Sequence, residues 1–247
     1  MTVLEKKNSH PRDSNIVFHE GPHLYTLNNS DIKFTSVTTL VHHQFEQFNA
    51  DKILNAIFKK NPLPAKYHGK TKDSLKAEWD ENRDSAASAG TKLHQNIEDY
   101  FNGETIVNDS MEWNHFMKFH TDNIGLIPYR TEWVVYDEEI NLAGSIDMVT
   151  ENDDNTLTIY DWKRSKGIVK SNAFNKYSTN QIIEHIPDSN FWHYSLQLNV
   201  YKAIIERKYN KKVKELFLVC LHPNQKNYQL LKCPNLQDEV SNLFSER

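Results

Sequence analysis

The chain has 247 residues, of which 38% are hydrophobic and 25% charged, with 33 acidic side chains against 29 Lys and Arg for a formal net charge of −4. A chain of this size and composition buries one substantial core, so a single catalytic domain with additions is the natural organisation. The two cysteines, Cys220 and Cys233, exclude a disulfide framework, and the absence of a signal-peptide core or a bilayer-length apolar run leads us to expect an intracellular protein without a membrane partner.

In chain order, Ile16 to Ser36 reads as a β-hairpin with Asn28-Asn29 near its turn, and Ser36-Val-Thr-Thr39 as a helix start. A helix over about Asp51 to Lys60 stops at Asn61-Pro-Leu-Pro64, and a long one from about Ser74 to Asn102 ends at Gly103. Within it, Ala86-Ala-Ser-Ala-Gly90 is expected to let another backbone approach closely. A helix near Ser110 to Asn123 precedes three strands, at about Tyr129 to Tyr136, Leu142 to Thr150 and Thr156 to Lys163. A helix from about Ser189 to Tyr209, strands at Val213 to Leu221 and Tyr228 to Lys232, and a helix from Asn235 to Ser245 complete the chain. There is no internal repeat and no low-complexity tract.

The chemistry concentrates in Gly144-Ser-Ile-Asp-Met-Val-Thr150 and Ile159-Tyr-Asp-Trp-Lys-Arg164. The turn between them, Glu151 to Asn155, makes the two runs neighbouring strands. Alternation then puts Asp161 and Lys163 on one face while Trp162 points away into packing. Two carboxylates and an ammonium suit metal-assisted phosphodiester hydrolysis: carboxylates hold a hard divalent cation, and the lysine orients water or offsets charge. Each residue alone also has an ordinary explanation as a strand-end or sheet-face charge. Two further patterns flank this pair. His94 stacks one turn before Glu98, and Gln197-Leu-Asn-Val-Tyr201 repeats the four-residue spacing on a later helix.

In this order, His, Gly-x-x-Asp, Asp-x-Lys and Gln-x-x-x-Tyr, the chain resembles the PD-(D/E)XK nuclease superfamily, specifically its RecB-like branch, over roughly residues 85 to 222. Ile146-Asp147 stands where the family name has Pro-Asp. The resemblance implies an α/β fold, restriction-endonuclease-like, with a mixed central sheet flanked by helices. We expect an N-terminal hairpin and helical lobe over 1–84, packed on a nuclease core over 85–247. It implies that His94, Asp147 and Asp161 ligate Mg²⁺ or Mn²⁺, with the Trp162 backbone carbonyl as a further ligand. Lys163 would be the catalytic lysine, and Gln197 and Tyr201 would contact substrate or brace the site. Glu132, at the start of a strand beside that of Asp147, would support the metal or the lysine, and is otherwise an exposed strand-end carboxylate. Glu98 would hold the His94 imidazole from behind the metal, or is a solvated helix residue. Histidine in the shell leans the preference toward Mn²⁺. Two cysteines cannot supply four thiolates, which separates the chain from relatives clamped by an iron-sulfur cluster.

The negative net charge is compatible with a nucleic-acid substrate if cations lie along a track. Lys163, Arg164, Lys166, Lys170 and Lys176 make such a local excess, and Phe174, Tyr177, Phe191, Trp192 and Tyr194 interleave further on. Arg164 and Lys166 are the expected substrate contacts, and some of the rings are candidates to stack on bases. The hairpin with Ser36-Val-Thr-Thr39 is similar to the leader of viral, phage and mitochondrial members of the branch, such as mitochondrial genome maintenance exonuclease-type proteins. The expected activity is therefore a metal-dependent DNA exonuclease of replication, repair or recombination, with 5′-phosphate and 3′-hydroxyl products. A structure-selective endonuclease with the same site, and a non-catalytic nucleic-acid-binding subunit, are the alternatives.

Overall fold

The structure, a computed structural model, describes residues 1–28, 30 and 32–247. Its elements are α1 (Val3–Lys7), β1 (Ile16–His19), β2 (Leu24–Leu27), β3 (Lys33–Ser36), α2 (Val37–His42), α3 (Ala50–Phe58), α4 (Lys72–Phe101) and α5 (Met111–Asp122), then β4 (Ile127–Asp137), β5 (Leu142–Glu151), β6 (Leu157–Lys163), α6 (Asn190–Lys208), β7 (Val213–Cys220), β8 (Gln229–Lys232) and α7 (Gln237–Ser245). Local chemistry sets several boundaries. The Ser36 hydroxyl accepts from Thr39 N–H (3.0 Å) and the Ser110 hydroxyl from Trp113 N–H (3.3 Å), satisfying amides that α2 and α5 leave unpaired. Past the end of α4, Gly103 turns the chain with φ +92°, where a Cβ would be strained. No helix among the described residues is long and apolar enough to cross a membrane.

Contacts divide the chain into two units, residues 1–46 with 93–247, and residues 47–92, so the boundary falls within α4. In the smaller unit Leu54 and Leu75 are buried, and Asp51 pairs with Lys76 (3.0 Å). An added Cβ at Gly90 meets nothing within 4 Å. Buried apolar residues of α4 resume at Leu93 and Ile97.

The larger unit is built on one eight-stranded mixed sheet, ordered β1-β2-β3-β5-β6-β7-β8 with β4 paired to β5. The N-terminal segment is a three-stranded meander in that sheet rather than one hairpin, because Glu20–His23 already turns the chain between β1 and β2. Asn28 follows β2, and Asn29, its expected partner in the turn, lies outside the described residues. Tyr25 and Phe34 pair across β2 and β3 and pack with Tyr136 and Ala143. β3 then joins β5 in parallel at Leu142 and Ala143.

Helices cover both faces of the sheet. On one, α2, α6 and α7 pack over Val135, Leu142, Ile146, Val149, Leu157, Ile159 and Leu218. On the other, Leu93 and Ile97 of α4 and Trp113, Phe116 and Phe119 of α5 cover Met148, Tyr160, Trp162 and Val219. Ile146 and Val149 face α6 while Met148 faces α5, so strict alternation breaks between Ile146 and Val149. β4 pairs with β5 along most of its length, but the opposite edge of β5 meets β3 only at Leu142 and Ala143 and β6 only from Met148 to Glu151. After Tyr160, β6 continues along β7 as far as Lys163 and leaves β5. Gly144 to Asp147 therefore border a gap between strands, and the site lies there.

Tyr201 of α6 closes one side of the gap. A Cβ at Gly144 would stand 2.8 Å from both Cε1 and the hydroxyl of Tyr201, a buried ring with 3% exposure. Gly144→Ala is expected to lower stability by about 1–3 kcal/mol, the usual cost of overpacking. Urea unfolding followed by tryptophan fluorescence measures it, and an unchanged midpoint would show that the ring moves freely.

Candidate metal centre

Where β6 leaves β5, the peptide group of Trp162 loses its strand partner on that side. Its N–H donates to Asp147 Oδ2 (2.8 Å), and its carbonyl lies 2.9 Å from His94 Nε2. A carbonyl only accepts, so Nε2 carries the hydrogen and Nδ1 is directed elsewhere. Nδ1 stands 3.6 Å from Glu132 Oε1 and 3.7 Å from Asp147 Oδ2. His94, Glu132 and Asp147 each offer a ligand atom, and all three atoms fall within 4.8 Å of one another.

The three elements deliver these groups for identifiable reasons. Leu93 and Ile97 bury one stripe of α4, which fixes the helix rotation and points His94 at the gap. Glu132 lies between Trp133, paired with Ile146, and Thr131, paired with Met148, which sets it beside Asp147. Its φ is +43°, a left-handed conformation uncommon for a residue other than Gly, Asn or Asp. Such strain, held within a sheet, is a mark of a functional position. The Ser145 hydroxyl donates to Glu132 Oε2 (3.0 Å), leaving Oε1 toward His94. Ser145 was not singled out from the sequence, although alternation from Asp147 already puts it on the same face.

Asp161 and Lys163 form a second group. Lys163 Nζ is 2.6 Å from Asp161 Oδ2, with both side chains mostly buried. Asp161 does not join the three converging ligand atoms in this arrangement. Burial pushes its carboxyl up to about 6, against the attraction of Lys163 and with repulsion from Asp147 adding to it. Asp147 is raised too, through burial, with His94 and Lys163 opposing. For His94 burial disfavours the charged ring, but Asp147 and Glu132 outweigh it and lift the imidazole to about 9. Lys163 is raised because Asp161 and Asp147 overcome its own desolvation.

The other expected residues lie as follows. The Trp162 carbonyl, expected as a metal ligand, receives the His94 Nε2–H. It thereby fills the orienting role expected of Glu98, which makes no hydrogen bond to the ring among the described residues. Gln197 Nε2 reaches the Tyr201 hydroxyl at 3.5 Å, and Tyr201 packs on Gly144. Arg164, expected on substrate, is paired with Glu112 (2.8 Å), both largely buried. Lys166 is exposed, while Lys176 pairs with Glu46.

The donor set fits a hard or borderline divalent ion. Neighbouring ligand atoms around an octahedral ion with bonds of about 2.1 Å stand about 3 Å apart, so the 3.6 and 3.7 Å spacings at Nδ1 need to close by a little over half an ångström, within the reach of side-chain rotation. Two oxygens and one imidazole nitrogen suit such ions.

Coordination requires Nδ1 without its proton, and a ring held to about 9 carries that proton at pH 7. Divalent-ion affinity is therefore expected to rise with pH by roughly tenfold per unit between about 7 and 8.5, each ion displacing one proton. Calorimetry of Mg²⁺ binding in buffers of different ionisation enthalpy checks this. Proton release should disappear in His94→Gln; affinity independent of pH would contradict Nδ1 ligation.

A family profile for the PD-(D/E)XK nuclease superfamily matches residues 30–245, a span that contains His94, Glu132, Asp147, Asp161 and Lys163. No curated protein matches the chain. Among solved structures, the protein SSO0001 is similar at TM-score 0.36 and 13% identity, covering 98% of this chain and 79% of that chain. A protein described as a candidate exonuclease from Eubacterium rectale gives TM-score 0.34 and 10% identity, covering 64% of each chain. With a family match across most of its length, a mixed sheet flanked by helices, and acidic and histidine ligands at a gap between strands, the chain belongs to the PD-(D/E)XK nuclease superfamily.

Proposed function

We propose that this nuclease is a divalent-metal-dependent DNA exonuclease, acting on single-stranded or end-containing DNA in replication, repair or recombination, with Mg²⁺ or Mn²⁺ as its ion. The observation that carries the reading is the convergence of His94, Glu132 and Asp147 on the two-strand segment that also bears the Asp161 and Lys163 pair. His94, Glu132 and Asp147 would hold the ion, and Asp161, paired with Lys163 beside them, would be a further ligand. When bound, the ion polarises the scissile phosphate and makes water a stronger nucleophile. Lys163 then places its ammonium against the attacking water or the developing phosphorane charge, where a buried cation acts through a low local dielectric. Tyr201 and Gln197 brace the strand that carries Asp147. The products are 5′-phosphate and 3′-hydroxyl ends.

Preference for an unpaired strand is supported by the segment that follows Lys163. Lys166 and Lys170 are exposed there, and Phe174 is 82% exposed. Asn172 holds this segment in shape, since its side-chain amide donates to the Lys176 and Asp188 carbonyls and its oxygen accepts from Phe174 and Lys176 N–H. A ring presented beside cations suits bases that are free to stack.

Digestion of end-labelled linear single strands, linear duplex and covalently closed single-stranded circles with Mg²⁺, Mn²⁺ or EDTA tests the reading. Linear strands should be degraded with either ion and circles should resist. Asp161→Ala and Lys163→Ala should abolish hydrolysis while remaining folded. Cutting of circles at a comparable rate would make the enzyme an endonuclease with the same metal chemistry, and wild-type turnover by folded Asp161→Ala would overturn the site.

A further inference from the structure

We propose that Tyr194 is a positioning residue for Lys163, holding the ammonium at the site by its ring face when Asp161 is drawn toward a bound cation. The inference rests on Asp161 and Lys163 having the roles proposed above.

Two groups fix the Lys163 ammonium. Asp161 Oδ2 lies 2.6 Å from Nζ, and the centroid of the Tyr194 ring 4.7 Å from it. The contacts differ in what a divalent ion does to them. Asp161 is a carboxylate that a divalent ion would claim, and an ammonium cannot compete equally with a doubly charged ion for one oxygen pair. If Asp161 were its sole restraint, Lys163 would be released at the moment it is needed. A tyrosine face attracts a cation through its quadrupole, yet it accepts no proton and is a poor ligand for a hard ion. It therefore keeps its hold when the carboxylate leaves.

The ring is well placed to do this. Tyr194, Gln197 and Tyr201 follow one another at three- and four-residue spacing and share a face of α6, so the face that braces Gly144 extends one turn further to Lys163. Tyr194 packs against the core that includes Leu196, Leu198 and Leu218, which fixes its position. Burial raises its phenol, with Lys163 opposing and Asp161 adding. It stays neutral and acts as a ring rather than as a charge.

The test uses the full chain labelled with ¹⁵N and reads the lysine ammonium ¹H–¹⁵N signals, with that of Lys163 identified by its loss in Lys163→Arg. In the wild type the signal should sit upfield of the other lysines through the Tyr194 ring current, and it should stay upfield when Mg²⁺ is added without DNA. Tyr194→Phe should preserve both. Tyr194→Leu should lose the upfield shift and broaden the signal with Mg²⁺, and kcat on linear DNA should fall roughly 10- to 100-fold with KM little changed, as for a misplaced catalytic group. Tyr194→Met serves if the leucine variant does not fold, and the wild-type spectrum is decisive without either. A Lys163 signal with no upfield shift, or one that loses it on Mg²⁺ addition in the wild type, overturns the inference. So does a folded Tyr194→Leu with wild-type kcat while Lys163→Ala is inactive. If Lys163→Ala is itself fully active, the proposed function has failed and this inference fails with it.

Discussion

The candidate site depends on one constraint, the backbone N–H and C=O of Trp162 left without a partner on the β5 side. A buried peptide N–H and C=O must be satisfied, and where β6 follows β7 away from β5 the partners are side chains: the Asp147 carboxylate on N–H and the His94 ring on C=O. The two groups that repair the sheet are two of the three that converge as ligands. Each is oriented by the bond it makes to the backbone. His94 is left with Nδ1 free of that bond, and Asp147 is fixed beside it. The gap between the strands and the hydrogen bonds that aim these side chains thus have the same origin.

Electrostatics explain why such a site would bind a divalent ion. Three carboxylates, Glu132, Asp147 and Asp161, face two groups that can be cationic, His94 and Lys163. If all are ionised, the group carries one net negative charge. Replacing the His94 proton by a divalent ion would bring the group to neutrality. The imidazole, lifted to about 9 by Asp147 and Glu132 against its own burial, expresses this excess of negative charge, whereas the Asp161 carboxyl, at about 6, is raised first by burial and only in part by Asp147. Near neutral pH the His94 proton offsets part of that negative charge.

Much of this was legible in the sequence. The runs 144–150 and 159–164 are apolar and β-branched with charges at fixed places, so both strands, their turn and the Asp161/Lys163 face follow from alternation. Capping serines and Gly103 marked helix ends for ordinary steric reasons. What stayed hidden depends on departures from regular geometry. Alternation cannot reveal the left-handed Glu132 or the break between Ile146 and Val149, and so left Glu132 as one of two readings. The role of Trp162 C=O depends on β6 parting from β5, which no local pattern encodes. The pairing of Arg164 with Glu112 was hidden as well, because Glu112 is distant in sequence.

The most direct test of the account is pulsed electron paramagnetic resonance of Mn²⁺ bound to the protein without DNA. If His94, Glu132 and Asp147 hold the ion, the spectrum will show hyperfine coupling to one imidazole nitrogen in the wild type. That coupling will vanish in His94→Gln, and Asp147→Asn will weaken binding. Stoichiometric Mn²⁺ with no nitrogen coupling in the wild type, or unchanged coupling in His94→Gln, would contradict it.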